Sequence, residues 1–595
     1  MPFKNYILVC GGTGCESSKA DDIYTHLIRE CELQNVENDV QVVKTGCFGF
    51  CEQGPVVKIL PDESFYVKVE PEDAKELVAE HIVKGRPVER LLYTSKDTGA
   101  LPAYEDIEFY QKQFRIVLRN CGLIDPDSID EYIARDGYVA LEKVIFDMKP
   151  DDVIEELKKS QLKGRGGAGF PTWMKWNFTK NTESDTKYVV CNADEGDPGA
   201  YMDRSTLEGD PFSIIEAMTI AGRTIGAEQG YIYIRAEYPI AISKLKNAID
   251  LAKQYGLLGE NILGSDYSFD IELRLGAGAF VCGEETALLA SIEGSRGMPV
   301  PRPPFPSVKG LWGKPTVINN VETWANVPVI ISRGGDWFAG IGTEKSKGTK
   351  VFALTGKINN SGLVEVPMGT PLRDIVYDIG GGIADGKEFK AVQTGGPSGG
   401  VITKEYLDTP IDYENLQNLG SIMGSGGMIV MDESDCMVDV TKFYLGFCVD
   451  ESCGKCAPCR VGGRTLYNIL DRITKGKGEM EDLDKINRIC LAMQKASLCG
   501  LGQTAPNPIL SALKYFEDEF LAHIKDQRCP AGRCKELITY YILPDKCIGC
   551  GVCARKCPVG AISGDRRKPH VIDYDLCIKC GECFEACKFD AVLVR

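Results

Sequence analysis

The stretch FDIELRLGAGAFVCGEETALLASIEG, residues 269 to 294, changes character twice. FDIELRL alternates apolar and polar residues as a strand does, GAGAFVCG is a glycine loop, and EETALLASIEG reads as a helix. The same alternation continues upstream. KYVVCNADEGDPGAY (187–201) reads as a buried strand running into a loop and IIEAMTIAGRTIG (214–226) as a helix. YIYIRAEY (231–238) reads as a strand and PIAISKLKNAIDLAKQYG (239–256) as an amphipathic helix. Strands alternating with helices predict an α/β domain built on parallel strands.

With 595 residues the chain exceeds what one hydrophobic core serves, so several domains are expected. The formal net charge of −17 argues against nucleic acid and anionic membrane surfaces as partners, because both reward Lys and Arg. No apolar run approaches the roughly 20 residues of a membrane span, and MPFKNYILVCGG lacks a signal-peptide core. A cytoplasmic protein without membrane contact is expected. Twenty-five cysteines in that compartment point to metal ligation rather than disulfides. With only four histidines, abundant His-based acid/base chemistry is not expected.

Near the C-terminus, Cys547, Cys550, Cys553 and Cys557 form C-x2-C-x2-C-x3-C followed by Pro558, and Cys577, Cys580, Cys583 and Cys587 repeat the spacing. This is the arrangement of a bacterial-type ferredoxin with two 4Fe-4S clusters, in which the fourth cysteine of each run serves the other cluster. The ligand sets are then Cys547, Cys550, Cys553 and Cys587, and Cys577, Cys580, Cys583 and Cys557. ESCGKCAPCR (451–460) supplies Cys453, Cys456 and Cys459 for a third 4Fe-4S cluster. Its fourth ligand is expected to be Cys499 in the glycine-rich SLCGLGQTAP rather than Cys490, which lies in a helical pattern.

At the other end, Cys10 and Cys15 in LVCGGTGC, with Cys47 and Cys51 in TGCFGFC, each follow a strand-like run. They suit a 2Fe-2S site, with structural zinc as the competing reading. Cys448, His523, Cys529 and Cys534 make a tetrahedral zinc set by residue type. Cys31, Cys121, Cys191, Cys282, Cys436 and Cys490 are left as core residues or bystanders.

Three loops of the α/β region can hold a nucleotide-like cofactor. GRGGAGFPTWMKW (164–176) lets backbone N–H groups approach a ligand, with Arg165 and Lys175 adding positive charge. GAGAFVCGEETALL (276–289) places Glu284 and Glu285 in a first helical turn, suited to sugar hydroxyls or simply to the helix dipole. VINNVETW (317–324) offers the amides of Asn319 and Asn320.

With CNADEGDPG, PPFP and GLWGKPTVINNVET, and with ESCGKCAPCR and SLCGLGQTAP, these motifs fall in an order that resembles the NADH-oxidising flavoprotein subunit of respiratory complex I and its relatives in hydrogenases and formate dehydrogenases. The resemblance spans roughly residues 110 to 525. It implies an FMN site in a Rossmann-like fold, NADH stacked over the flavin, and a 4Fe-4S cluster in a helical bundle. By that resemblance Gly164, Arg165, Gly166, Gly167, Lys175, Asn192, Asp194, Glu284, Asn319 and Asn320 hold FMN. Glu195 joins the cofactor-binding set, and Phe170, Phe178, Glu285 and Phe305 face the nicotinamide nucleotide. Asp197 stands where the family often has Glu, and Arg302 where it often has Lys, both near the expected adenosine side. NAD is the expected nucleotide and NADP its competitor.

The expected chain is multidomain, α/β and α+β. A thioredoxin-like 2Fe-2S domain (1–90) is joined by a linker (91–110) to the FMN/NAD-binding Rossmann-like domain (111–340). A β-grasp domain (341–432), a helical bundle with one 4Fe-4S cluster (433–525), a zinc-bound connector (526–543) and the ferredoxin domain with two 4Fe-4S clusters (544–595) follow. This combination looks most like the beta subunit of electron-bifurcating FeFe hydrogenases. The resemblance implies a hydrogenase catalytic subunit, a small 2Fe-2S subunit and soluble ferredoxin as partners. The alternative is a non-bifurcating NAD(P)H dehydrogenase subunit such as that of NAD-dependent formate dehydrogenase. Flavin chemistry converts between the nicotinamide's hydride and the single electrons that clusters carry.

Overall fold

The computed structural model describes residues 3–95, 99–100 and 107–594; residues 96–98 and 101–106 of the expected linker lie outside them. The chain forms two compact units, residues 1–387 with 391–430, and residues 388–390 with 431–595.

The first unit begins with a four-stranded sheet in the order β2-β1-β3-β4, from β1 (Asn5–Cys10), β2 (Val40–Thr45), β3 (Val57–Leu60) and β4 (Ser64–Tyr66). β1 and β2 run parallel and β3 returns antiparallel. Helix α1 (Ala20–Leu33) crosses between β1 and β2, and its apolar stripe Ile23, Leu27 and Cys31 joins Ile7, Val9 and Val57 in a local core. Both cysteine loops therefore leave the same ends of neighbouring strands.

The central sheet has the order β8-β5-β6-β7, from β5 (Tyr188–Ala193), β6 (Gln229–Arg235), β7 (Asp270–Gly276) and β8 (Thr316–Asn320). Every pairing in it is parallel, as the alternation predicted. Helices α2 (Thr172–Asn181), α3 (Met202–Gly209), α4 (Pro211–Ile225), α5 (Pro239–Gln254), α6 (Glu285–Ile292) and α7 (Val321–Arg333) complete the domain. α4 is buried along almost its whole length, which explains why IIEAMTIAGRTI lacks a polar face. In an open parallel sheet, ligands bind beyond the C-terminal ends of the strands. Here those ends are Ala193, Arg235, Gly276 and Asn320, and Asn320 lies in register with Asn192.

A five-stranded mixed sheet follows, in the order β10-β9-β13-β11-β12: β9 (Thr349–Gly356), β10 (Gly362–Pro367), β11 (Phe389–Thr394), β12 (Gly400–Thr403) and β13 (Gly427–Asp432). This is the expected strand-rich domain.

The second unit is a helical bundle, α8 (Met437–Asp450), α9 (Gly463–Thr474), α10 (Glu481–Ala496), α11 (Gly500–Thr504), α12 (Asn507–Tyr515) and α13 (Glu517–Ile524). A ferredoxin-like end follows, with two small antiparallel pairs, β14 (Tyr540–Ile542) with β17 (Val592–Val594) and β15 (Ile562–Ser563) with β16 (Val571–Ile572). No helix among the described residues is long and apolar enough to cross a membrane.

Candidate functional site

Beyond the central sheet, the glycine loop closes through Gly164 N, which donates to Phe170 O at 2.8 Å, and is held by Tyr413 Oη on Gly164 O at 2.8 Å. A Cβ at Gly166 would lie 3.3 Å from Asn320 Cβ, and Gly167 combines φ of +112° with backbone contact to Gly424. The loop thus rests on the end of β8 with bare backbone, the form that lets N–H groups approach a phosphate.

Arg165 does not bring charge there. Its side chain is fully buried, its guanidinium donates to Lys163 O (2.9 Å) and Lys347 O (2.6 Å), and it lies 4.0 Å from Glu322. It anchors the loop from below. Lys175 does face outward, one-third exposed, with Nζ 3.3 Å from both Glu285 Oε2 and Ile318 O. Burial would push the Glu285 carboxyl up, but Lys175 and Arg302, the latter at 2.5 Å, outweigh it and hold Glu285 below the usual carboxylate range.

Several expected ligands spend their side chains on the scaffold. Glu284 caps α6, accepting from Thr286 N and Ala287 N, both at 3.0 Å. With its amide oxygen and nitrogen exchanged, the orientation its neighbours require, Asn319 donates to Ile318 O and accepts from Trp176 Nε1, both at 2.9 Å. Asn320 caps α7 by accepting from Glu322 N at 2.9 Å and donates to Asp203. Asn192 donates to Gly283 O at 2.9 Å and accepts from Asp194 N at 3.1 Å, fastening the β5 and β7 loops together. Buried Glu195 accepts from Asp203 N (3.0 Å) and Arg204 N (3.1 Å) at the start of α3. Asp197 accepts from Ser425 Oγ at 2.7 Å, and burial pushes its carboxyl up to about 6. Phe170, Phe178 and Phe305 are 41%, 47% and 54% exposed, so ordinary core packing does not account for them. Arg302 lies over the Phe305 ring.

The sequence reading missed α3. Tyr201, just before it, lies beside Cys51, Asp203 accepts from Asn320, and Glu208 holds Thr13. One short helix thus connects the first cysteine loops to the end of β8. MDRSTLEG carries no motif that announces this. The four N-terminal thiols are gathered: Cys10 touches Cys15 and Cys47, and Cys47 touches Cys51. Hydrogen bonds from Cys10 and Cys51 hold the Cys47 thiol well below its ordinary value. A Cβ on Gly12 would meet Cys47 and one on Gly54 would meet Cys15, which accounts for both glycines.

In the second unit, Cys453 and Cys456 lie close enough to Cys459 to act on its thiol, and a Cβ at Gly502 of α11 would sit 2.8 Å from Cys459. Cys499 caps that helix. Cys490 is fully buried inside α10, and burial pushes its thiol up to about 12. The ferredoxin-like end carries two cavities. One is lined by Cys547, Cys550, Cys553 and Cys587, the other by Cys577, Cys580, Cys583 and Cys557. Cys587 thus lines the cavity of the first run and Cys557 that of the second.

The four-residue set with His523 differs from the expected one. Cys436, His523, Cys529 and Cys534 converge with ligand atoms within 4.8 Å of one another, all buried. Cys436 Sγ lies 3.3 Å from His523 Nε2 and 3.8 Å from Cys534 Sγ. Cys448 is not in the set. Cys436 caps the start of α8 and Cys448 follows twelve residues later, roughly 18 Å along the helix at 1.5 Å per residue. Two thiols so far apart on one helix cannot share an ion, and the sequence separation of 87 between Cys436 and His523 hid the true neighbour.

Family models match the chain along its length: a thioredoxin-like [2Fe-2S] ferredoxin over residues 2–81, the Nuo51 FMN-binding domain over 157–329, and an SLBB domain over 351–402. The NADH-ubiquinone oxidoreductase-F iron-sulfur binding region matches 439–523 and a 4Fe-4S dicluster domain 546–591. The NADP-reducing hydrogenase subunit HndC of Solidesulfovibrio fructosivorans is 61% identical over 483 residues, covering 81% of this chain and 98% of HndC. The second F-type subunit of the NADH-quinone oxidoreductase of Rhizobium meliloti is 45% identical over 415 residues, covering 70% of this chain and 99% of that protein. A solved NAD+-reducing [NiFe]-hydrogenase chain, in the H2-reduced state, aligns with a TM-score of 0.62 at 29% identity, covering 88% of this chain and 85% of that one.

Fold, sites and relatives together define an NAD(P)-dependent flavin and iron-sulfur oxidoreductase subunit. The chain belongs to the family that contains the F-type subunits of NADH-quinone oxidoreductases and the hydrogenase subunit HndC.

Proposed function

We propose that the chain is the nicotinamide-linked subunit of an electron-bifurcating FeFe hydrogenase in the cytoplasm. It would work with a hydrogenase catalytic subunit, a small 2Fe-2S subunit and soluble ferredoxin. The observation that carries this reading is that α3 joins the first cysteine loop, through Glu208 and Thr13, to Asn320 at the end of β8, where the glycine loop rests, in a chain that also ends in two ferredoxin-type thiolate sets. Such a chain has places to take in electron pairs and to hand on single electrons.

The residues fit FMN, which when bound exchanges hydride with nicotinamide and single electrons with iron-sulfur clusters. Gly164, Gly166 and Gly167 leave backbone room for its phosphate, Lys175 supplies the cation, and Asn192, Asp194, Glu195, Glu284, Asn319 and Asn320 hold the surrounding loops rigid. Phe170, Phe178, Glu285 and Phe305 would receive the nicotinamide nucleotide, with Asp197 and Arg302 toward its adenosine side. NAD is the proposed nucleotide, with NADP as the alternative that HndC's name raises. One 2Fe-2S and three 4Fe-4S clusters would be held by Cys10, Cys15, Cys47 and Cys51; by Cys453, Cys456, Cys459 and Cys499; and by the two exchanged sets.

Zinc suits Cys436, His523, Cys529 and Cys534. Bonds of about 2.3 Å in a tetrahedron put thiolates about 3.8 Å apart, the spacing found between Cys436 and Cys534. His523 Nδ1 is 2.7 Å from Glu519 O, which leaves Nε2 for the metal.

Co-purification with a hydrogenase subunit, together with a simultaneous requirement for ferredoxin and nicotinamide nucleotide, tests the bifurcating assignment. Turnover of nucleotide with a formate dehydrogenase partner and no ferredoxin requirement would replace it with the unbranched reading.

A further inference from the structure

The hairpin between β15 and β16 carries GDRRKP, residues 564–569, all exposed. It lies directly on the first C-x2-C turn of the ferredoxin-like end. Arg567 N donates to Gly549 O at 3.0 Å, and a Cβ on Gly549 would lie 2.3 Å from Lys568 N. Arg555 reaches the same turn from the other side, with Nη1 3.4 Å from where a Cβ on Gly551 would be. Lys568 pairs with exposed Asp565 at 3.0 Å, whereas among the described residues Arg555, Arg566 and Arg567 make no ion pair. Within this rim Cys550 is itself exposed, and Ile548 (54%) and Phe589 (46%) add apolar surface beside it.

Two further features bear on this rim. Arg567 has φ of +67°, a conformation that favours glycine, asparagine or aspartate. Residues 544–595 carry nine Lys and Arg against seven Asp and Glu, in a chain whose formal net charge is −17. Each thiolate set has an exposed aspartate two residues before its first cysteine, Asp545 and Asp575, but the second adds exposed Asp573, Glu582 and Glu585 against half-buried Lys579.

We propose that Arg555, Arg566, Arg567 and Lys568, with Ile548 and Phe589 between them, form the docking surface for an acidic one-electron carrier protein of the ferredoxin class. The carrier seats over the Cys547, Cys550, Cys553 and Cys587 site and is repelled from the other. The charges steer the encounter and orient it, the apolar centre excludes water, and the exposed Cys550 edge shortens the path for the electron. The inference rests on the reading that the C-terminal thiolate sets exchange single electrons with a soluble carrier. In the reverse direction two reduced carriers give one electron each, and NAD+ takes both with one proton to become NADH.

The test uses the protein as isolated, with any subunits that accompany it. NAD(P)H formation is driven either by a reduced acidic 2×4Fe-4S ferredoxin or by reduced methyl viologen, which needs no docking surface. For the R566E/R567E variant the ferredoxin KM should rise about tenfold or more and its salt dependence should flatten, because steering falls with ionic strength. Viologen-driven turnover should stay at the wild-type rate, and R566A/R567A should fall between the two. Wild-type KM and salt dependence in R566E/R567E would overturn the proposal, as would isolation of that variant without a partner chain that accompanies the wild type. If viologen drives the wild type and ferredoxin does not, the docking proposal fails while electron exchange at the C-terminal sets stands. If neither donor drives it, both fail.

Discussion

Glu208 accepts two hydrogen bonds from Thr13, from the backbone N at 3.1 Å and from the hydroxyl at 2.5 Å, and so fastens the end of α3 to the first cysteine loop. Burial pushes its carboxyl up to about 7, against the pull of Thr13 and Arg204. The fold therefore holds a proton that the unfolded chain releases. This contribution is fully present below the ordinary carboxylate range and is lost as pH rises through about 7. Thermal melts between about pH 5 and 8 should show Tm falling with pH, and Glu208→Gln should flatten part of that fall. An identical slope in the variant would contradict the assignment.

Metal analysis separates Cys436 from Cys448. The wild type should retain zinc through dialysis, and Cys436→Ser and His523→Ala should lose it. Cys448→Ser should keep it, because that thiol lies along α8 and outside the convergent set. Zinc lost with Cys448 and kept without Cys436 would restore the expectation drawn from residue types alone.

The sequence carried the parts of the fold whose signals are local. Parallel β5, β6, β7 and β8 showed in their alternation with helices, and the doubled cysteine spacing pointed to the two cavities that Cys587 and Cys557 help to line. What it could not carry were choices made by tertiary packing. Arg165 reads as a loop cation until the fold buries it against Lys163 O and Lys347 O. Asn319 and Glu284 read as ligands until Trp176 and the start of α6 claim them. Cys436 had no neighbouring cysteine to announce it, and Tyr201, Asp203 and Glu208 matter through contacts far away in sequence.

Lys175 and Asn320 should fail in different ways. Lys175→Ala removes the outward cation and should weaken FMN binding about tenfold, as loss of a charge-assisted hydrogen bond does, with little change in Tm. Asn320→Ala removes the cap of α7 and the bond to Asp203, so it should also cost about 1 kcal/mol of stability. Flavin fluorescence released on denaturation, compared with melting curves, reads both. Full flavin retention in both variants would count against this site.

Cys499→Ala should abolish the EPR signal of one 4Fe-4S cluster and leave the two C-terminal ones. Cys490→Ala should keep all three and cost about 1 kcal/mol for the small void left in α10. The opposite pattern would reassign the fourth ligand.

The central claim is that one chain takes electron pairs from a nicotinamide nucleotide and distributes them singly. Anaerobic titration of the reconstituted protein with NADH, and separately with NADPH, tests it most directly, following flavin absorbance and cluster EPR together. The account predicts flavin bleaching with cluster reduction, and a stronger response to NADH. Fully loaded clusters that neither nucleotide reduces would contradict it.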